Sequence, residues 1–154
     1  MSVTHSIADA LNAHGWYLAT AESCTGGGIG AALTDLPGSS SWYRGGVIAY
    51  DNAVKRSFLN VPEDILSTYG AVSEPVVVQM AVGVAELIGA EASIATSGIA
   101  GPSGGTEAKP VGTVCFAYKA GDQVWSETLC FGGDRANVRR LAIEHGLTSL
   151  LSRL

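Results

Sequence analysis

The sequence has little charge, no long apolar run and few cysteines, lysines or histidines. Only 15% of its 154 residues are charged, and the formal net charge is −5. A broadly acidic surface repels nucleic acids and anionic membranes, so we expect neither as a partner. No apolar run reaches the roughly 18 residues of a membrane-spanning helix, and the amino-terminal segment lacks the basic start and apolar core of a signal peptide. We therefore expect a cytoplasmic protein.

The cysteines and histidines limit the kinds of site that the chain can build. Cys24, Cys115 and Cys130 are an odd number without metal-ligand spacing, which argues against a disulfide framework or a zinc site. Buried free thiols are the favoured interpretation. The three histidines lie far from the glycine-rich motifs described below. We expect no metal and no cofactor, and a nucleophile in those motifs would have no histidine base.

The hydrophobic content of 47%, without a linker, predicts a single domain over residues 1–154. Helix and strand patterns alternate at first, and a hairpin of alternating strands, 111–119 and 123–131, follows. This order predicts an α/β fold, a three-layer α/β/α sandwich around a mixed sheet with a C-terminal antiparallel hairpin. The other predicted strands are 16–20, 46–50 and 92–96, and the predicted helices are 2–14, 26–36, 73–88 and 134–152, with short helices after Asp51 and Pro62.

The best candidate for chemistry is residues 21–28, Ala-Glu-Ser-Cys-Thr-Gly-Gly-Gly, at a predicted strand-to-helix turn. Ser23 should lie at the carboxyl end of the strand, beside free backbone N–H groups that suit a nucleophile or a bound anion. Three interpretations stay open at this point. Ser23 is the nucleophile, Cys24 is a rival nucleophile, or a hydroxyl here only caps the helix, for which Thr25 is the more natural residue.

A serine nucleophile needs a base, and without a nearby histidine that base must be a lysine. Of the three lysines, Lys55 follows a predicted strand in the first turn of a short helix. A helix amino terminus disfavours an ammonium group by roughly 0.3 to 1 kcal/mol when exposed, which lowers the lysine pKa, and partial burial would add to this. Tyr50, at the end of that strand, could donate or relay a proton. The alternative is that Lys55 and Arg56 form a solvated helix surface.

A second glycine-rich loop follows the predicted strand 92–96. Thr96, Ser97, Gly98 and Gly101 would present hydroxyl and backbone N–H groups to an anionic oxygen, either of a phosphate or of a tetrahedral intermediate. The alternative is a plain connection rich in turns.

Two arginines begin the last predicted helix. Arg135 and Arg139 are four residues apart, so they share a helix face near an amino terminus that itself attracts anions. This arrangement suits a phosphate, and surface solvation is an equally open interpretation.

Seven segments of the chain occur in an order that resembles one protein family. They are residues 21–27, 37–40, 45–50, 70–73, 97–102, 109–114 and 133–135. Together they resemble the CinA carboxyl-terminal domain family from about residue 4 to residue 150. The resemblance implies an amidohydrolase that converts nicotinamide mononucleotide, a small pyridine mononucleotide, to nicotinic acid mononucleotide and ammonia in pyridine-nucleotide salvage. It also implies the stand-alone form, without the pyrophosphatase-type domain of longer relatives.

The resemblance also implies roles for particular residues. The family's functional residues fall on Ser23, Tyr50, Lys55, Thr96, Ser97 and Arg139. In the mechanism that we expect, neutral Lys55 accepts the proton of Ser23, which attacks the carboxamide carbon. Backbone N–H groups near Gly26 or Gly98 hold the oxyanion, while Arg139 and the second glycine-rich loop hold the phosphate.

Some expectations extend this hypothesis or compete with it. Thr25, Gly26 and Gly27 are expected to bind substrate beside the nucleophile. A non-catalytic nucleotide-binding module that regulates a partner is the alternative function, although the joint presence of Ser23, Tyr50 and Lys55 argues against it. The apolar composition permits a homo-oligomer without setting its order.

Overall fold

The computed structural model describes residues 2–154, which form five strands, six α-helices and one 3₁₀ turn at Ser39–Ser41. The strands are β1 (Leu18–Glu22), β2 (Tyr43–Ile48), β3 (Ala92–Gly98), β4 (Thr113–Ala120) and β5 (Gln123–Cys130). The helices are α1 (Val3–His14), α2 (Gly28–Thr34), α3 (Asn52–Leu59), α4 (Glu63–Tyr69), α5 (Glu74–Ile88) and α6 (Arg135–Arg153). In this part of the chain, every helix is too short or too polar to cross a bilayer.

The strands form one mixed sheet in the order β2-β1-β3-β4-β5. The first three are parallel, with Glu22 of β1 between Ile48 of β2 and Thr96 of β3, so their carboxyl ends meet at one edge of the sheet. The remaining pairs, β3 with β4 and β4 with β5, are antiparallel. The predicted mixed sheet with its C-terminal hairpin is confirmed.

Helices cover both faces of the sheet, which confirms the three-layer architecture. On one face α1, α2 and α6 enclose a core that includes Ile7, Ile29 and Leu150. On the other face α3, α4 and α5 enclose a second core that includes Leu59 and Met80.

The predicted ends of several elements differ from the structure. Strand β2 is Tyr43–Ile48 rather than 46–50, and β4 is Thr113–Ala120 rather than 111–119. Strand β1 begins and ends two residues later than the predicted 16–20, because Ala21 and Glu22 still pair with both neighbouring strands. Helix α2 is shorter than the predicted 26–36, since Gly26 and Gly27 have φ angles of 61° and 98°, outside the helical region. The five residues between Glu22 and α2 are therefore a turn, and this turn carries Ser23.

Candidate active site

A cavity of about 250 Å³ opens where β1 and β3 end. Ser23 and Cys24 contribute from the turn after β1, and Ser97 and Gly98 contribute from the end of β3. The residues that line it are Ser23, Cys24, Tyr50, Asn52, Lys55, Ala71, Val72, Ser97, Gly98, Ala100 and Arg135. The two glycine-rich segments picked out in the sequence thus meet in one cavity, together with the predicted lysine.

Ser23 and Lys55 are in direct contact inside this cavity. The Lys55 Nζ donates to Ser23 Oγ at 3.2 Å and to the backbone carbonyl of Tyr50 at 3.2 Å. Lys55 is only 1% exposed. A solvated helix surface is therefore the wrong interpretation for Lys55, whereas the next residue, Arg56, is exposed and pairs with Glu63 at 2.9 Å. The dyad expected from the sequence is assembled.

The short helix α3 carries Lys55 into place. The Asp51 carboxylate accepts from the backbone N–H of Ala53 at 2.7 Å and so caps the first turn, as the sequence predicted. Burial lowers the pKa of Lys55 below its ordinary value of 10.5, and the negative charge of Asp51 opposes this only in part. Burial, rather than the helix terminus invoked from the sequence, is the main cause. A neutral amine in contact with a serine hydroxyl can accept its proton.

Tyr50 enters the site through its backbone. Its carbonyl oxygen accepts from Lys55 Nζ, and lies 3.5 Å from Ser23 Oγ. Its side chain is 61% exposed, and its hydroxyl accepts from Arg135 Nη2 at 3.3 Å. The proton relay expected of the Tyr50 hydroxyl is therefore not what this geometry provides, because the carbonyl, which cannot relay a proton, is the group that touches both Ser23 and Lys55.

The rival nucleophile, Cys24, is buried, and this burial disfavours its thiolate. Burial raises the pKa of its thiol to about 11, although a backbone hydrogen bond and the charge of Arg139 act in the opposite direction. The thiolate is the reactive form of cysteine, so Cys24 is a poor nucleophile at neutral pH. All three cysteines are free. Cys115 is buried as expected, but Cys130 is exposed, because it lies at the end of the sheet's edge strand β5.

Glu22 is the residue of this region that the sequence reasoning missed. Its buried carboxylate accepts from the backbone N–H groups of Ile29 at 2.8 Å and Gly30 at 3.0 Å, and so caps α2. The expectation that Thr25 caps this helix is wrong, since its hydroxyl donates to Glu22 Oε1 at 2.7 Å. The signal in the sequence was a lone glutamate at the end of an otherwise uncharged strand.

Several of the expected free N–H groups beside Ser23 are engaged. Two of those at the start of α2 donate to Glu22, and the Gly26 N–H donates to the carbonyl of Ser23 at 3.1 Å. Gly26 and Gly27 do not line the cavity, and they serve the turn through their positive φ angles. The amino terminus of α2 is thus already neutralised by a protein carboxylate.

The second glycine-rich loop contributes both to the cavity and to its support. Ser97 and Gly98 line the cavity, whereas Thr96 is fully buried behind it and its carbonyl accepts from the Ser23 N–H at 3.0 Å. The backbone N–H and C=O groups of residues two apart on a strand are directed to the same side of it. The Gly98 N–H is therefore directed to the β1 side, as the Thr96 carbonyl is, and Gly98 itself lines the cavity.

The two arginines of α6 have different positions. Arg135 lines the cavity, where its Nη1 donates to the carbonyl of Gly101 at 2.9 Å. Arg139 does not line it, because its Nε and Nη2 donate to the carbonyls of Cys24 at 3.1 Å and Thr25 at 3.3 Å. Of the pair predicted to share a face, Arg135 is the one that a ligand in the cavity would meet.

Four further residues, Asn52, Ala71, Val72 and Ala100, line the cavity although the sequence analysis gave them no role. Asn52 is in the first turn of α3, and Ala71 and Val72 form an apolar wall just before α5. Ala71 and Val72 both belong to the segment 70–73, one of the seven segments on which the family resemblance rests. Across residues 2–154, no group of three or more His, Cys, Asp or Glu side chains is placed to hold a metal ion.

Comparison with known proteins agrees with this fold. The CinA C-terminal domain family matches residues 1–154. Nicotinamide-nucleotide amidohydrolase PncC of Shigella flexneri is 46% identical over 153 residues, which cover 97% of this chain and 92% of that protein. The crystal structure of competence damage-inducible protein A from Klebsiella pneumoniae has a TM-score of 0.94 and 40% identity, and covers 98% of this chain and 94% of its own. A CinA superfamily protein from Escherichia coli has a TM-score of 0.95 and 37% identity, with 99% and 88% covered. The chain belongs to the CinA C-terminal domain family.

Proposed function

We propose that this protein is a nicotinamide-nucleotide amidohydrolase. It hydrolyses the carboxamide of nicotinamide mononucleotide to nicotinic acid mononucleotide and ammonia, a step of pyridine-nucleotide salvage, and residues 1–154 act as one domain. The observation that carries the proposal is the buried contact of 3.2 Å between Lys55 Nζ and Ser23 Oγ inside the cavity. Relatives named nicotinamide-nucleotide amidohydrolase PncC that are 45% to 50% identical to the chain support the choice of substrate.

The first half of the reaction forms an acyl-enzyme. Neutral Lys55 accepts the proton of Ser23 as its Oγ attacks the carboxamide carbon, and the electron pair of the C=O bond moves to oxygen. The Gly98 N–H stabilises this oxyanion, because Gly98 lines the cavity while the Gly26 N–H is engaged by Ser23. Lys55 then returns the proton to the amide nitrogen, the C–N bond breaks, and ammonia leaves.

The second half regenerates the enzyme. A water molecule attacks the ester carbon of acyl-Ser23, and Lys55 again accepts the proton. Collapse of the second tetrahedral intermediate breaks the bond to Ser23 Oγ, which recovers its proton from Lys55, and nicotinic acid mononucleotide is released. The Tyr50 carbonyl keeps the Lys55 Nζ oriented toward Ser23 throughout both halves.

Arg135 is the residue that we assign to the phosphate of the substrate. It lines the cavity, and within residues 2–154 its guanidinium donates to two neutral oxygens, the Gly101 carbonyl and the Tyr50 hydroxyl. An arginine fork matches a phosphate in geometry and charge. Arg139 supports the reaction indirectly, since its hydrogen bonds hold the carbonyls of Cys24 and Thr25.

Ammonia release from nicotinamide mononucleotide tests the proposal. We expect release by the purified protein and by Cys24→Ala, and a loss of several orders of magnitude in Ser23→Ala. A wild-type protein that releases no ammonia would refute the enzymatic function, and a thermal shift with the nucleotide in that case would identify the regulatory module instead. An active Ser23→Ala beside an inactive Cys24→Ala would assign the nucleophile to Cys24.

A further inference from the structure

We propose that Glu22 is a positioning residue of the amidase. Its carboxylate fixes the turn that carries Ser23, and it determines which of the neighbouring hydroxyls, those of Thr25 and Thr96, donates a hydrogen bond and which accepts it. This inference rests on the proposed function, since it concerns the placement of the nucleophile. Glu22 is 2% exposed, and within residues 2–154 it makes no ion pair with lysine, arginine or histidine. A buried carboxylate that pairs with no cation must be stabilised by other contacts.

The contacts of Glu22 connect the two ends of the turn. One end of the turn follows directly from Glu22 along the chain, and the other end leads into α2. Glu22 Oε1 accepts from the Thr25 hydroxyl at 2.7 Å and from the Ile29 N–H at 2.8 Å, while Oε2 accepts from the Gly30 N–H at 3.0 Å. The carboxylate therefore holds the middle of the turn and the beginning of α2 at fixed distances from the end of β1.

The same carboxylate determines which way the neighbouring hydroxyls point. A carboxylate only accepts hydrogen bonds, so the single proton of the Thr25 hydroxyl goes to Glu22. Thr25 must then accept from the Thr96 hydroxyl, which lies 2.9 Å away. Both threonines are fully buried. This series of contacts ends at the nucleophile, because the backbone carbonyl of the same Thr96 accepts a hydrogen bond from the Ser23 N–H at 3.0 Å.

Arg139 holds the backbone of the same turn. It donates to the carbonyls of Cys24 and Thr25, so the turn is bound both by a guanidinium and, through the Thr25 hydroxyl, by the buried Glu22 carboxylate. This arrangement matters because Ser23 Oγ has to stay in contact with Lys55. A displacement of about 1 Å at a catalytic group can cost roughly 100-fold in rate.

Glu22→Gln tests the inference with almost no change in shape. A glutamine side chain has one acceptor atom, so its NH₂ group would face either the Gly30 N–H or the donors at Ile29 and Thr25. We expect kcat to fall about 10- to 100-fold while KM stays within about 3-fold, because the cavity wall and Arg135 are untouched. The midpoint of the pH profile should not move, since Glu22 does not contact Lys55.

Thr25 provides a second, independent variant. Thr25→Val keeps the shape but removes the hydroxyl, and should lose kcat as Glu22→Gln does, whereas Thr25→Ser should keep it. The double variant Glu22→Gln/Thr25→Val should lose little more than the worse single variant, because both changes break the same chain of hydrogen bonds. Glu91→Gln is the matched control, since the Glu91 carboxylate also accepts from a backbone N–H, that of Tyr17 at 2.7 Å, but outside the site.

The readouts separate this inference from the proposed function. Circular dichroism establishes that each variant is folded at the assay temperature, and a fluorophosphonate probe, located by mass spectrometry, reports how fast Ser23 reacts without any nucleotide. If wild-type Ser23 is labelled but nicotinamide mononucleotide is not hydrolysed, the proposed function fails and the labelling rates still test Glu22. We expect labelling to slow about 10- to 100-fold in Glu22→Gln and to stay unchanged in Glu91→Gln.

Three results would overturn the role of Glu22. The first is a folded Glu22→Gln protein with wild-type kcat and labelling rate. The second is a Glu22→Gln protein in which only KM changes, or a double variant Glu22→Gln/Thr25→Val whose loss of kcat is the product of the two single losses. If Glu22→Gln does not fold, Thr25→Val carries the test, and wild-type rates in folded Thr25→Val refute the inference.

Discussion

Replacing Lys55 with arginine should stop proton transfer, although a long basic side chain still occupies the position. Lys55 Nζ is 3.2 Å from Ser23 Oγ, within reach for a general base, and the side chain is 1% exposed, so bulk water has little access to replace it. Arginine stays protonated in proteins and cannot accept the serine proton. General base catalysis contributes about 10²- to 10⁴-fold, or about 2.7 to 5.5 kcal/mol of the barrier. We expect kcat of Lys55→Arg to fall by this amount.

Steady-state ammonia release measures the loss, with Lys119→Met as the matched control. Lys119 Nζ also donates to a backbone carbonyl, that of Gly121 at 2.6 Å, but at the hairpin turn between β4 and β5. Lys119→Met should keep the wild-type rate, and Lys55→Met should be as slow as Lys55→Arg. A Lys55→Arg protein that keeps more than about a tenth of the wild-type kcat would refute the assignment of Lys55 as the base.

The pH profile supplies the second readout for Lys55. Burial lowers its pKa, and only the neutral amine, which predominates above that pKa, can act as the base. Wild-type kcat/KM should therefore rise with pH through the lowered pKa and level off above it, and Lys55→Arg should lose this rise. A wild-type rate that is flat from acid to neutral pH would contradict the mechanism.

The same shift in pKa has a consequence for stability. Between the lowered pKa and 10.5, the unfolded chain binds more protons at Lys55 than the folded protein does, so this residue makes the free energy of unfolding rise with pH in that window. Below the lowered pKa both states are protonated, and Lys55 adds no pH dependence. Urea titrations of wild-type protein and Lys55→Met at several pH values should differ in this slope.

Two further predictions concern Arg135 and the cysteines. Arg135→Met should raise KM for nicotinamide mononucleotide by roughly 10- to 150-fold, since a hydrogen bond to a charged group contributes about 1.5–3 kcal/mol. It should leave KM for nicotinamide riboside, which lacks the phosphate, almost unchanged. The exposed Arg140→Met is its control, and equal weakening of both substrates would exclude a phosphate role. Iodoacetamide should modify exposed Cys130 well before Cys24, whose pKa of about 11 leaves roughly one part in 10⁴ as thiolate at neutral pH. Fast modification of Cys24, measured by mass spectrometry, would contradict that pKa.

The architecture was predictable because its signals are local. The apolar stripe of α5 and the alternation of β4 and β5 are read within single segments, and the order of elements then limits the fold. The end of β1 was not predictable in this way. Ala21 and Glu22 belong to the strand because β2 and β3 pair with them on both sides, and that pairing comes from segments distant in sequence.

The site was predictable in its residue types and less so in their orientations. The absence of a nearby histidine pointed to Lys55, but its burial depends on how α3 packs against the rest of the domain. The spacing of Arg135 and Arg139 predicted that they share a face of α6, and their side chains bond to the loop after β3 and to the turn after β1. Which of them reaches the cavity depends on where α6 lies along the sheet, and no local pattern contains that information.

Glu22 and Lys55 are both buried at this site, and their hydrogen bonds differ in a way that explains their roles. The Glu22 carboxylate accepts three hydrogen bonds, which make it a fixed point of the structure. Lys55 donates to two neutral oxygens and, among the described residues 2–154, pairs with no carboxylate, so burial lowers its pKa with only partial opposition from Asp51. A carboxylate in contact with Lys55 would hold the proton on the amine and remove the base. The proposed mechanism therefore requires that Glu22 faces Thr25 and α2, away from Lys55.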